Sequence, residues 1–449
     1  MFQDVRGLEM TAASEDAVRA FDHVVAGYVG YRTDIPQRME ALFAADADCP
    51  LAHCLRGYFA MLSFKAAALP MAREASEAAL RLTLEAAPRE QDHAAALEAW
   101  VAGRPDRATA IWQQILDEHP HDLLAFRLAH FVNFWLGRPE VMLASVLRAE
   151  PHWSETLAGW GSILGCRAFA LEECGYYTEA EHAGREAIRF DATDLWAAHA
   201  VAHVLEMQGR RGEGIAWVEG LEGNWAQGNN LRHHLAWHAA MYHLERGDDA
   251  RVLALYDGGF RDLSSPLTQA APDLYIDVQN AASMLFRLTR QGVDVGNRWE
   301  EIADLAETRI GDCLSGFTLP HWMMALAATG RDQAAERMLA AMREFAATEE
   351  SLVGALTAQL ALPVTEAVLA HGRGRYADAV RLMRPVLGEM YRLGGSHAQQ
   401  DVLEQLFLDA ALKADLTTDA RLLMERVAGR NPVPPARRRG YAMGAGLLH

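Results

Sequence analysis

Apolar residues along this chain recur at intervals of three and four, as in Ile111 and Ile115 or in Val380, Met383, Val386 and Leu387, with no sustained alternation. That period is the period of a helix burying one face, so helices are expected throughout and strands nowhere. The helical stretches are punctuated at regular distances. Glycines close apolar stretches at Gly103, Gly137, Gly175, Gly209 and Gly247, spaced by 34, 38, 34 and 38 residues.

That interval is the length of one helical hairpin, and the residues around each glycine resemble the tetratricopeptide pattern. Gly103, Pro105, Ala108, Trp112, Ile115 and Pro120 supply in order a turn glycine, a turn residue, a small packing residue, a large apolar residue, a helix-crossing residue and a terminal proline. Gly175, Tyr177, Ala180 and Ala187 repeat it, as do Gly330, Ala335 and Met338, and Gly374, Tyr376, Ala379 and Met383. The glycine ends the first helix by tolerating a left-handed conformation, and the alanine lets the second helix pack closely. The expected fold is all-α: a tetratricopeptide-like helical-hairpin solenoid, a right-handed superhelix with a concave central pocket. Residues 1–90 are expected to form an N-terminal helical cap and 91–257 the repeats. Residues 258–430 should hold further hairpins after an irregular insertion, because Gly247 and Gly330 stand 83 residues apart. Residues 431–449 form a Pro/Arg-rich tail in which Arg437, Arg438 and Arg439 are expected to be solvated.

The chain has 449 residues, too many for one compact core, which suits an elongated array. With 51% hydrophobic and 23% charged residues it has globular composition, and no run approaches ~18 unbroken apolar residues, so a soluble protein is expected. A net charge of −18 disfavours nucleic acid as a partner. The start shows neither a basic flank nor an apolar stretch of secretory length, and the five cysteines form no CxxC pair. A cytoplasmic protein with reduced thiols is expected, with no membrane partner and its oligomeric state left open. Neither a Walker loop nor a GxGxxG is present, so no nucleotide cofactor is expected.

Seven of the 18 histidines lie between His182 and His243. After Asp194, a candidate N-cap, Trp196, His199, His203, Glu206 and Arg210 fall on one helical face. His234, His238, Met241 and Glu245 do the same before Gly247, with Trp237 at the edge, and Asp277, Asn280, Met284 and Arg287 form a third polar-tinged face. Each of the first two helices precedes a turn glycine, so both stripes are expected to line the concave groove, with His130 and Glu172 upstream. Candidate ligand-binding residues are therefore His130, Glu172, His199, His203, Glu206, Arg210, His234, Trp237, His238, Glu245, Asp277 and Arg287.

Three readings follow. The stripes pair structurally between stacked helices, they bind a small molecule or short peptide, or they catalyse, with His203 as general base oriented by Glu206. Binding leads, an enzyme acting on a small polar metabolite is the alternative, and a protein–protein scaffold is third. No metal is expected as a rule. If one binds, the i, i+4 pairs His199/His203 and His234/His238 would hold it.

Beyond spacing, whole polar words carry a resemblance. The run Ala198 to Arg210, then His234-Leu235-Ala236-Trp237-His238, Tyr242 to Gly247, Tyr256-Asp257, Phe169 to Glu173, Tyr177, Ala180-Glu181, Ser283 to Leu288, Gly292-Val293, Arg298-Trp299 and His397 to Asp401 resemble the tetratricopeptide repeat protein 38 family and its bacterial members. The resemblance covers about residues 120 to 415. It implies a tetratricopeptide solenoid and brings no reaction with it.

Overall fold

The computed structural model describes residues 1–448. It is all-α, with 24 α-helices among the described residues and only a two-stranded antiparallel ribbon, Phe2–Gln3 with Glu9–Met10. Consecutive helices pack against one another along the chain.

The turn glycines behave as their spacing predicts. Gly103, Gly137, Gly175, Gly209, Gly247, Gly330 and Gly374 all have φ between 64° and 83°. In each case the next amide reaches back to close the helix end, as from Arg104 N to Ala99 O (2.9 Å) and from Arg210 N to Leu205 O (2.8 Å). The small and large packing residues, Ala108, Ala180, Ala335 and Ala379 with Trp112, Ile115, Met338 and Met383, are all buried.

The irregular insertion hides a further hairpin. The helix Asp249–Leu255 runs into a wide turn at Tyr256–Phe260, then the short helix Pro266–Ala270, and only then the pair Tyr275–Arg290 and Arg298–Thr308. Gly292 (φ 78°) closes the first of these with the same back-bond, Val293 N to Leu288 O (3.0 Å). It stands 45 residues after Gly247 and 38 before Gly330. A later turn, at Asp415 (φ 56°), uses Leu416 N to Ala411 O (2.9 Å) without any glycine.

The chain forms two compact units. The first comprises Met1–Val201 with Asn224–Asn229. The 224–229 segment belongs here because Asn229 N bonds Tyr31 O (2.8 Å) and Thr33 N bonds Gln227 O (3.2 Å). Among its buried groups, Tyr58, Trp100 and Trp112 pack tilted or edge-on with centroids 5.5–6.3 Å apart. Trp112 Nε1 donates to Tyr58 Oη (3.1 Å), and Arg89 and His93 flank the buried Asp122 carboxylate.

The second unit comprises Ala202–Gly223 and Asn230–His449. Its stretch Leu352–Gly372, 21 residues with a mean hydropathy of 1.6 over its most apolar 18-residue window, is the one segment among the described residues long and apolar enough to cross a membrane; half of that window is buried within the fold. The terminal arginines depart from the expectation of a solvated tail. Arg438 donates to Asp401 Oδ1 (2.6 Å) and stacks on the buried Tyr441, whose hydroxyl also donates to Asp401 (2.6 Å). Arg439 pairs with Asp249 (2.9 Å), and only Arg437 is exposed. The buried carboxylate of Asp401 recruits its charge because, left unpaired, it would cost several kcal/mol, about 3–5, whereas Asp249 is half-buried.

Candidate functional site

Three helices of the histidine region carry the candidate residues: the first stripe helix Leu195–Met207, the second Leu231–Glu245 and the third Tyr275–Arg290. The boundary between the compact units falls inside the first, which is one continuous helix.

In the second unit, His203 and Glu206 meet the second stripe helix at His238. The His203 and His238 rings lie 4.5 Å apart at 64°, and His238 Nδ1 stands 2.7 Å from Glu206 Oε2. A carboxylate oxygen only accepts, so Nδ1 of His238 is the donor. Glu206 thus engages His238 on the neighbouring helix, because helix packing brings His238 to it.

His234 lies one turn before His238, with ring centroids 4.8 Å apart and nearly perpendicular. It stacks flat on Trp237 (5.1 Å, 11°), and its Nδ1 stands 2.8 Å from Asn280 Oδ1 of the third helix. Ligand-capable nitrogens of His203, His234 and His238 all lie within 4.8 Å of one another. Burial, reinforced by the neighbouring imidazoles His238, His234 and His397, holds His203 well below the usual histidine range. Burial and His238 do the same to His234, against the opposing hydrogen bond that it donates to Asn280.

Asp277 opens the third helix, fully buried, and its Oδ2 accepts from Asn230 Nδ2 (2.6 Å) and His233 Nδ1 (3.2 Å). Arg287, also fully buried, reaches under Trp237 (5.9 Å) and donates to Ala398 O (3.1 Å) and Asp401 Oδ2 (3.3 Å). Asn230, His233 and Asp401 were not singled out as site residues from sequence. The first two stand just before the second stripe's periodic positions, and Asp401 comes from a helix over a hundred residues further on. Glu245 sits at the end of the second helix, bonded by Arg211 (2.8 Å) and the Arg439 amide (3.1 Å); burial raises its carboxyl above the usual range.

Arg210 does not share the stripe. The first helix stops at Met207, the positive φ of Gly209 turns the chain, and Arg210 forms a bidentate pair with Glu213 (2.9 and 2.7 Å). Extending helical arithmetic past a glycine stop placed it wrongly.

In the first unit, His130 packs edge-on to Trp196 (5.8 Å) and Phe169 (6.1 Å). Neither of its ring nitrogens has a hydrogen-bond partner among the described residues, and burial, with Arg127, depresses its pKa strongly. Arg127 lies over the Trp196 ring (4.4 Å). Glu172 is fully buried in the same unit. His199 is buried beside Phe169 (5.3 Å) and Trp196 (5.0 Å), one turn before His203 on the same helix.

Two cavities are relevant. One of about 40 Å³ in the second unit is lined by Glu206, Glu245, His397, Asp401, Arg430 and Arg438 among others, room for water-sized occupants only. A far larger open one, about 1370 Å³, lies in the first unit against the N-terminal ribbon and includes none of the candidate residues. Three buried polar atoms around the second and third stripes, Trp237 Nε1, Asn280 Nδ2 and Asp277 Oδ1, have no hydrogen-bond partner among the described residues. No protein-family model matches the chain.

Proposed function

We propose that the protein is a tetratricopeptide-like right-handed solenoid, akin to the tetratricopeptide repeat protein 38 family, whose polar core in the middle of the chain binds a small ligand. The observation that carries this is the incomplete hydrogen bonding of Trp237, Asn280 and Asp277 within a buried cluster of imidazoles and carboxylates. Each such atom left unpaired costs about 1–3 kcal/mol, a cost that a core built only for stability avoids. A ligand with matching polar atoms repays that cost. The five thiols, none of them in a disulfide, suit the cytoplasmic setting read from the sequence.

The enzyme reading draws on one further observation, the carboxylate-oriented imidazole of His238 beside His203, which is the arrangement a general base uses. The space beside Glu206, with room for water-sized occupants only, leaves no place there for a long peptide.

Thermal unfolding with a panel of small polar metabolites tests the binding reading. A ligand at a hundred times its Kd raises stability by about 2.7 kcal/mol, and Asn280→Leu abolishes that rise while leaving the protein folded. Stabilisation that persists in Asn280→Leu, or its absence across the panel and across cell extract, overturns the assignment. Turnover lost in His238→Gln with ligand binding retained would establish the enzyme.

A further inference from the structure

We propose that His203, His234 and His238 hold a divalent late first-row transition-metal ion, with Zn(II) the ion this donor set suits best. This deepens the binding reading and rests on it: the ion is part of what the polar core takes up.

His234 and His238 are spaced i, i+4 on one helix, which sets two imidazoles over one point, and packing brings His203 of the neighbouring helix to the same place. With their ligand-capable nitrogens within 4.8 Å of one another, about 1 Å of ring movement brings them to the ~3.3 Å spacing of ligands around tetrahedral zinc with bonds of ~2.0–2.1 Å. All three side chains are buried.

The groups behind the rings fit the same chemistry. Glu206 Oε2 accepts from Nδ1 of His238, and Asn280 Oδ1 accepts from Nδ1 of His234. With Nδ1 committed as donor, Nε2 is the nitrogen that carries the lone pair, so tautomer and ring orientation are both fixed. That carboxylate–imidazole–metal and amide–imidazole–metal relay is how protein metal sites orient their ligands. An all-imidazole donor set selects against calcium and magnesium, which take oxygen ligands, and suits zinc and its neighbours.

The full-length protein, stripped with a chelator and titrated with Co(II) as a spectroscopic stand-in, tests the site. About one Co(II) per chain with the intense visible bands of tetrahedral coordination is expected, displaced by Zn(II). His238→Cys adds a thiolate-to-cobalt charge-transfer band, a signature that no merely structural histidine gives. Asn280→Leu weakens Co(II) binding about 10–100-fold, and Asn280→Asp, which keeps the acceptor for His234, restores it. His182→Gln, at a solvent-exposed histidine, leaves binding unchanged. Folded wild-type protein without stoichiometric Co(II), or a His238→Cys spectrum without the new band, overturns the proposal. Stabilisation by an organic metabolite without cobalt binding overturns the metal and keeps the ligand reading. Cobalt bound at these histidines with no response to any metabolite keeps the metal and overturns the organic ligand.

Discussion

Buried polar side chains set both the stability and the pH response of the second unit. His321, on the helix Thr318–Ala328, donates from Nδ1 to Phe317 O (2.8 Å), and burial, with a smaller effect from Arg287, lowers its pKa from 6.5 to about 4. The unfolded chain therefore takes up a proton at a higher pH than the folded one. The stabilising contribution is complete above about pH 6.5 and is lost as pH falls towards about 4, amounting to about 3 kcal/mol at most. His321→Gln flattens that part of the acid limb, which urea unfolding at stepped pH measures; an unchanged slope refutes it. At this scale the sequence showed His203, Glu206, His234, Trp237, His238, Asp277 and Arg287 as candidates, because helical spacing singles out polar residues on a shared face. It could not show that Glu206 engages His238, since that pairing depends on how two helices pack.

Helix ends and helix contacts follow the glycines. Gly214, in the helix Arg211–Leu221, faces Tyr242, whose hydroxyl donates to Ala202 O (2.6 Å); a Cβ there would stand 2.4 Å from the ring. Gly212 on the same helix has nothing within 4 Å of such a carbon. Gly214→Ala therefore costs about 1–3 kcal/mol through overpacking, whereas Gly212→Ala gains about 0.5–1 kcal/mol from reduced chain entropy. Chemical denaturation of the two variants should move in opposite directions, and a shared direction would contradict the packing account. Hairpins whose turn carries glycine were legible. The first two, Glu15–Val29 with Ile35–Ala45 and Pro50–Leu62 with Leu69–Leu82, were not, because the left-handed positions after their first helices are taken by Tyr31 (φ 53°) and Phe64 (φ 50°). Tyr31 is held there by a stack on Trp196 (6.0 Å) and a hydrogen bond from Arg127.

Across the second unit, residues far apart in sequence join in one buried ionic network, Arg287 and Arg438 on Asp401, with Gln405 Nε2 (2.6 Å) and Tyr441 completing the carboxylate's partners. Arg438→Met leaves Asp401 short of a charge partner and should cost about 2–3 kcal/mol, little changed by added salt because the pair is mostly buried. Equal stability of the variant and the parent would show the tail to be dispensable. The sequence by itself determined the helical class, the hairpin period and the polar stripe, since all three are written in local spacing and in the conformational freedom of glycine. Tertiary structure alone decided that two of the terminal arginines are drawn onto Asp401 and Asp249, that Gly292 turns a hairpin inside the irregular stretch, and that three histidines from two helices share one place. Each of these depends on contacts between distant segments, where the desolvation cost of a charge or an imidazole selects its partner, and no local pattern records that choice.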